Sequence, residues 1–514
     1  MSFKVRRIKE DPEPKGKSHW KGALFAALGV GGSLFGLIKH GVDEYDERQM
    51  HRQRRSMILK RVLFILLAVL FASLLFAGTV RALVSLRILS FSSIASITGA
   101  APPADENGYT NILLLGQGDS GHDGLNLTDT IMVASIDPTR TQSVVLLSLP
   151  RDLYFLNTER MGKGRLNSMY RDFRSFMRFE RGMDEEEATQ ETISELAAEI
   201  GRKLNIEMHG TIKVDFIGFV KAVDAIGGVD LDVPYDIVDT EYPDENYGFE
   251  TFEISKGMQH LNGETALKYA RSRHTTSDFG RSARQQQLLG SIGDKAKETG
   301  LIKDPKKLVS IARIISDHME TTFSFSELVG LAALAKDTDG SRIIAMQLND
   351  RNGLYDAFIE PGGILYTPPR DLFEGASVLL PVSIPEYPVT WRQVRAFTAL
   401  LINQRAAYLA NPKIAVLNSS AKSGSARRLG NELNRFGFEI GEIANASGEE
   451  QLASIISYED ESAAALAEFF SLLLDVEVAP LPEGVPPEET GELTIILGED
   501  FAYTPMQDLV PNVQ

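Results

Sequence analysis

Cysteine is absent from all 514 positions, which excludes disulfide bridges and thiolate metal sites. A chain without thiols also tolerates an oxidising exterior without misbonding. Histidine is scarce: the eight residues show no metal-ligand spacing, so a zinc site is not expected. The signatures H-E-x-x-H, G-x-S-x-G and G-x-x-x-x-G-K-[ST] are all missing, which sets aside zincins, nucleophile-elbow hydrolases and P-loop nucleotidases. Basic residues are outnumbered, 53 Lys+Arg against 70 Asp+Glu, for a formal net charge of −17. Such a balance argues against nucleic acid as a partner. No internal repeat is long enough for a solenoid. What remains, 43% apolar and 24% charged, is the composition of a folded protein of two or three domains.

The charge is unevenly spread. Residues 1–61 hold 14 Lys/Arg and 7 Asp/Glu, a net of +7, so the rest of the chain carries −24. Val62–Val80, "VLFILLAVLFASLLFAGTV", is nineteen residues without a charge, roughly 28 Å as a helix and about one bilayer core. The preceding flank, "HRQRRSMILKR", keeps its side cytoplasmic. The run is longer and farther from the start than a cleaved signal's apolar core, so an uncleaved signal anchor over 62–81 is expected. Gly22–Ile38 is a second apolar run, but its "GVGG" weakens it as a helix.

After the anchor, 82–106 reads as a small and polar linker closed by "GAAPPADENG". "NILLL", "DTIMVASID" and "SVVLLSLP" are three buried strands, the last two split by the turn-forming "PTRTQ". Ala188–Leu204 is helical, and "TIKVDFIGFVKAVDAIGG" is a strand running into a helix with a glycine stop. Mixed strands and helices predict an α/β domain over 107–385. A polar helix joins it, over 386–410, to a small α/β unit of β-α-β-α-β order over 411–503.

Asp119 ends the first strand and Asp129 opens the second. Paired carboxylates at adjacent strand ends suit Mg²⁺, which takes one or two carboxylates plus phosphate oxygens and waters; turn capping is the ordinary use of such residues. His122 and Asp123 read as solvated loop residues. "GQGDSG" fits G-x-G-x-x-G, but no helix follows it, so a dinucleotide site is not expected. "SLPRD" puts Arg151 and Asp152 just past the third strand, with Arg165 and Asn167 soon after. They sit at a ligand-binding sheet edge or form a surface pair of little energetic weight. "ALKYARSRHTTSDFGRSARQQQLL" crowds Arg271, Arg273, Arg281 and Arg284 into fourteen residues of an acidic domain. Guanidinium forks bind two phosphate oxygens at once, so four of them suit a pyrophosphate; a solvated helix face is the alternative.

Together these pieces resemble the LytR-CpsA-Psr family of bacterial envelope proteins. The resemblance rests on "NILLLGQGD", "TDTIMVASIDP", "LSLPRDLYF", "VDFIGFVKAVDAIGGVDLDVP", "GMQHLNGETALKYARSRH" and "DFGRSARQQQLL", in that order. Residues 411–500 are similar to the accessory C-terminal domain of LytR-type members. The resemblance implies an α-β-α domain with a mixed central sheet flanked by helices. It implies transfer of a glycan from a polyprenyl-pyrophosphate carrier to a hydroxyl of peptidoglycan or another cell-wall acceptor. Asp119 and Asp129 match the family's magnesium carboxylates (Mn²⁺ would also serve), and Arg151, Arg271, Arg273 and Arg281 its pyrophosphate-binding arginines. Asp152 matches a polar partner there, and Arg284 and Gln285 the closing helix. The implied catalytic set is Asp129, Arg151, Asp152, Arg271 and Arg273. The substrate-binding set is Arg151, Arg165, Arg271, Arg273, Arg281, Arg284 and Gln285.

One departure stands out. Members often read Arg-Ser-Asp-Thr where this chain has Leu127-Thr128-Asp129-Thr130, so one phosphate contact is lost. A non-catalytic lipid or glycan binder, and a polyprenyl-pyrophosphate pyrophosphatase, are the rival readings. "DFIGFVKAV" and "YRDFRSFMRF" offer apolar side chains for a lipid channel or for ordinary core packing. The expected location is the cell membrane, N-terminus cytoplasmic and both folded domains outside.

Overall fold

The computed structural model describes residues 100–118, 126–243, 248–272, 278–301, 305–335, 340–349, 363–382, 389–447, 451–486 and 489–513. The apolar runs 22–38 and 62–80, the loop residues Asp119, His122 and Asp123, and Arg273 lie outside the described residues. Among the described residues no helix is long and apolar enough to cross a membrane. All of them belong to one contact unit, Phe91–Gln514.

Three expected strands form: β1 (Thr110–Gln117), β2 (Thr128–Asp137) and β3 (Ser143–Ser148). The β2–β3 turn is held by Asp137, whose carboxylate accepts from the backbone N–H of Thr139, Arg140 and Thr141 at 3.0, 3.0 and 2.8 Å. That is the local bonding for which Asp is favoured in turns. A short ribbon, β4 (Tyr154–Phe155) and β5 (Gly164–Arg165), leads into α1 (Leu166–Phe179) and α2 (Glu185–Leu204). α2 is capped by Asp184, which accepts from Glu187 N–H, carries Glu185–Glu187 in its first turn, and ends at Asn205 in the left-handed region. Its Ile193, Leu196, Ile200 and Leu204 are each 1% exposed or less, a three-four spacing that makes one buried stripe. Each such side chain contributes about 1.5–3 kcal/mol by burial, so Leu196→Asp would detach the helix.

β6 (Gly210–Asp215) and α3 (Phe216–Ala225) follow as the strand-into-helix unit, which stops at Gly227 and Gly228 with φ of 87° and 80°. β7 (Val229–Val233), β8 (Ile237–Pro243), β9 (Phe249–Ile254) and β10 (Gly257–Leu261) pair as β7–β10 and β8–β9 outside the main sheet. Then come α4 (Gly263–Arg271), α5 (Asp278–Glu298), α6 (Pro305–Ile315), β11 (Met319–Thr321), α7 (Phe325–Ala335) and β12 (Ile343–Gln347). β13 (Leu365–Tyr366) pairs with β14 (Leu380–Pro381).

The central sheet has six strands in the order β11-β6-β1-β2-β3-β12 and is mixed, with parallel β1–β6 and β3–β12 pairs. Alternation along the strands sorts its side chains between two faces. Leu113, Leu115, Ile131, Val133, Val145 and Leu147 pack with α1 and α2. On the opposite face Ile112 and Ile136 meet Phe323 and Leu331, while Met132, Ala134 and Leu146 meet Leu289 of α5. Helices therefore cover both faces.

The connecting helix is two helices, α8 (Arg392–Asn403) and α9 (Arg405–Ala410), broken at Gln404. The C-terminal unit comprises β15 (Ile414–Asn418), α10 (Ser425–Arg435), β16 (Ile440–Asn445), β17 (Ile455–Tyr458), α11 (Ala464–Leu474), β18 (Glu477–Val478), β19 (Leu493–Leu497) and α12 (Met506–Leu509). Its sheet order is β16-β15-β19-β17-β18. The expected β-α-β-α-β order omitted β17 and β18, which are only four and two residues long. One continuous apolar core runs from Leu113 and Ile193 through Phe397 and Leu401 to Val416 and Ile495. Arg405, 1% exposed, pins the junction: its guanidinium donates to Ile402 O at 2.8 Å, Ser135 O at 2.9 Å and Ser135 Oγ at 2.6 Å.

Candidate active site

Strand direction decides where the site lies. β1, β3, β6 and β12 run one way and β2 against them. Gln117, Ser148, Asp215 and Gln347 therefore finish at the edge where Asp129 begins. β1 and β2 pack closely as they reach that edge: a Cβ on Gly116 would sit 2.9 Å from Thr130 Cβ. At this edge opens a cavity of about 250 Å³. Its walls come from separated segments: Asp129, Ser148, Arg151 and Asp152, then Arg281 and Gln285 from α5, and Gln347 from β12.

Charges alternate along the rim. Arg151 Nη1 lies 3.3 Å from Asp129 Oδ1, Arg151 Nε lies 3.6 Å from Asp152 Oδ2, and Arg165 Nη1 lies 3.6 Å from Asp152 Oδ1. These side chains keep between 23% and 42% of their exposure. Ion pairs that wet contribute about 0–1 kcal/mol, too little to explain a four-member row as a stability device. Their partial exposure sets these charges at the protein surface. Arg281 is 5% exposed and still reaches the cavity wall. A cation in so dry a wall acts on an anion with far less screening than one in water.

The other sequence-selected arginines separate. Arg271, at the C-terminus of α4, is not in that wall. Its Nη1 donates to Tyr242 Oη at 2.9 Å, and its guanidinium carbon lies 4.3 Å from the Phe216 ring centroid. Arg284 is 2% exposed and binds backbone within the fold. Its Nε donates to Tyr269 O at 2.9 Å and its Nη2 to Ser272 O, so it closes the last carbonyls of α4. α5 begins at Asp278, and its Arg284 side chain turns to the end of α4. Gln285 has both surroundings, with Nε2 3.3 Å from Ala270 O and a place in the cavity wall.

Some residues had no clear signal in the sequence. Gln286 is buried, and its Nε2 donates to Leu146 O at 3.1 Å and Met346 O at 2.7 Å, which fastens α5 across β3 and β12. Lys213, 5% exposed, lies with Nζ 3.0 Å from Glu320 Oε2 and 2.5 Å from Gln117 Oε1. Burial pushes its ammonium pKa down, though Glu320 opposes the shift. Gln117 in turn donates to Asn126 Oδ1 at 3.0 Å, across the neck of the loop that joins β1 to β2. The channel candidates divide: Tyr170, Phe173, Met177 and Val223 are core residues, whereas Phe176, Phe179 and Ile217 are exposed.

This arrangement of strands, rim charges and helices is accompanied by a family match. The model of the LytR_cpsA_psr family matches residues 90–361, more than half of the chain. The chain belongs to the LytR_cpsA_psr family. A second model, described as LytR cell envelope-related transcriptional attenuator, matches residues 411–501. Among LytR_cpsA_psr relatives, the polyisoprenyl-teichoic acid–peptidoglycan teichoic acid transferase TagV of Bacillus subtilis is 28% identical over 246 residues, 47% of this chain and 56% of TagV. The chain thus spans a little over half of that relative's length. The cell wall biosynthesis protein LcpA of Corynebacterium glutamicum is 25% identical over 403 residues, 72% of this chain and 70% of LcpA. The crystal structure of B. subtilis TagV aligns with a TM-score of 0.40 and 23% identity, over 58% of this chain and 99% of that one.

Proposed function

We propose that this LytR_cpsA_psr protein is a membrane-anchored phosphotransferase. It would move a glycopolymer from a polyprenyl-pyrophosphate carrier to a hydroxyl of peptidoglycan or another wall polymer. The observation that carries the reading is the sheet-edge cavity, where Asp129, Arg151, Asp152, Arg281 and Gln285 converge from distant parts of the chain. The likeness to TagV and LcpA, named as a teichoic acid transferase and a cell wall biosynthesis protein, supports it. In this reading residues 62–81 span the membrane, 107–385 form the catalytic domain and 411–503 an accessory α/β domain.

The chemistry follows from charge. Arg151 and Arg281, with Arg271 beyond the cavity wall, neutralise the diphosphate and the negative charge that develops on the leaving phosphate. The acceptor hydroxyl oxygen bonds to the glycan-linked phosphorus and yields its proton to a rim carboxylate, Asp129 or Asp152, while the bond from that phosphorus to the bridging oxygen breaks and polyprenyl phosphate departs. Asp152, between two guanidiniums, holds Arg151 and Arg165 in place. Asp129 presents hard carboxylate oxygens, 37% exposed, at the rim. That donor chemistry fits Mg²⁺ or Mn²⁺, which Asp129 and Asp119 would hold. When bound, the cation polarises phosphate oxygens.

The test is turnover by the full-length chain in nanodiscs, given a polyprenyl-pyrophosphate glycan and a peptidoglycan acceptor. Polyprenyl phosphate and acceptor-linked glycan should form in equal amounts. Lipid phosphate released with no acceptor product would make it a pyrophosphatase. Bound carrier without turnover would make it a binder, the reading that the Leu127 departure favours.

A further inference from the structure

Arg271 and Arg284 flank one helix junction, yet their guanidiniums are held in opposite ways. Arg284 spends in-plane donors on carbonyl oxygens. Arg271 is packed against two aromatic rings. Its guanidinium carbon lies 4.3 Å from the Phe216 centroid and 5.3 Å from that of Tyr242, with one donor on Tyr242 Oη at 2.9 Å. Stacking fixes the plane of a guanidinium while leaving its edge free to meet two phosphate oxygens.

The two aromatic residues are themselves fixed. Phe216 opens α3 directly after β6, where Asp215 caps the helix by accepting from Gly218 N–H at 2.7 Å. A Cβ on Gly118 would lie 3.6 Å from the Phe216 ring, so this ring also abuts the exit of β1. Tyr242, 3% exposed, comes from the β8–β9 hairpin, which lies outside the central sheet. That hairpin is tied to α4 a second time, by Lys268 Nζ on Glu250 Oε1 at 2.7 Å.

We infer that Phe216 and Tyr242 are positioning residues that pre-set the Arg271 guanidinium plane for a diphosphate, and that the β8–β9 hairpin contributes to anion affinity through Tyr242. The inference rests on the proposed diphosphate role of Arg271. Without the rings, a long and rotamer-rich side chain must be ordered at the moment of binding, which weakens affinity about tenfold.

The experiment is a double-mutant cycle on the full-length protein in nanodiscs, with inorganic pyrophosphate as the calorimetric probe and thermal unfolding as the control. Phe216→Leu and Tyr242→Leu should each raise Kd about tenfold in the native background and change nothing further in an Arg271→Ala background. Tyr242→Phe, which keeps the ring and loses the hydroxyl, should recover most of the affinity, as should Phe216→Tyr. Equal effects in both backgrounds would overturn the inference, since the rings would then act without Arg271. So would native affinity in both leucine variants beside a clear loss in Arg271→Ala. Native affinity in Arg271→Ala itself would instead remove Arg271 from the proposed function, and the inference with it.

Discussion

Replacing Arg284 by alanine separates an arginine that braces a helix end from one that lines the cavity. The change strips partners from Tyr269 O and Ser272 O, both at the end of α4. An orphaned buried carbonyl costs about 1–3 kcal/mol, so two cost about 2–6. Losing the guanidinium over the Tyr269 ring, 5.8 Å from its centroid, adds about 0.5–1 kcal/mol. Removing a desolvated cation gives some of this back, leaving a net loss of about 3 kcal/mol. Urea unfolding followed by the fluorescence of Trp391, the tryptophan of the folded unit, should show a midpoint lower by about 1 M. Arg281→Ala, at the cavity wall three residues earlier, should unfold close to the wild-type midpoint and lose transfer instead. If Arg284→Ala kept the wild-type midpoint but lost pyrophosphate binding, the brace argument would be wrong and this guanidinium would belong to the ligand.

Further outcomes are expected at the site and away from it. Arg281→Ala and Arg151→Ala should each slow transfer by about 10²–10³-fold, read by polyprenyl phosphate release, because each removes charge from a developing anion. Chelator should stop transfer, and Asp129→Asn should weaken Mn²⁺ binding followed by electron paramagnetic resonance; full activity in excess chelator would remove the carboxylates from the chemistry. Asp137 gives a pH signature. Burial raises its pKa, but the Thr141 hydroxyl and the N–H groups of Thr141, Arg140 and Thr139 outweigh burial and hold it at about 2 against an ordinary 3.8. A depressed folded pKa means the stabilisation, about 2 kcal/mol, is complete above pH 4 and lost as pH falls towards 2. The stability gap between wild type and Asp137→Asn should therefore close over that window in acid titrations at fixed urea.

Much of this was legible in the residues because it is local. β1, β2 and β3 are short apolar runs between turn formers, and α3 ends on the glycines the pattern offered. The strand-end positions of Asp129 and Arg151 could be read for the same reason. Long-range pairing could not. β12 joins β3 from nearly two hundred residues away, and nothing in "IIAMQ" names its partner. Side-chain surroundings were the other limit: Arg281 and Arg284, three apart on α5, share roughly one helical face, yet one reaches the cavity wall and the other the end of α4. The aromatic cradle of Arg271 combines Phe216 and Tyr242, residues that ordinary core packing would explain equally well in one dimension.

The Arg405 pin has a consequence for how the protein can be divided. Its guanidinium reaches into the far end of the β2–β3 hairpin, and α8 contributes Val394, Phe397, Leu400 and Leu401 to the layer that also contains Leu204. A gene cut between the two α/β modules would leave a greasy wound on the first and a severed cation on the second. The modules are distinct in pattern but share one interior, so the C-terminal unit travels with the six-stranded sheet as cargo bolted to a frame.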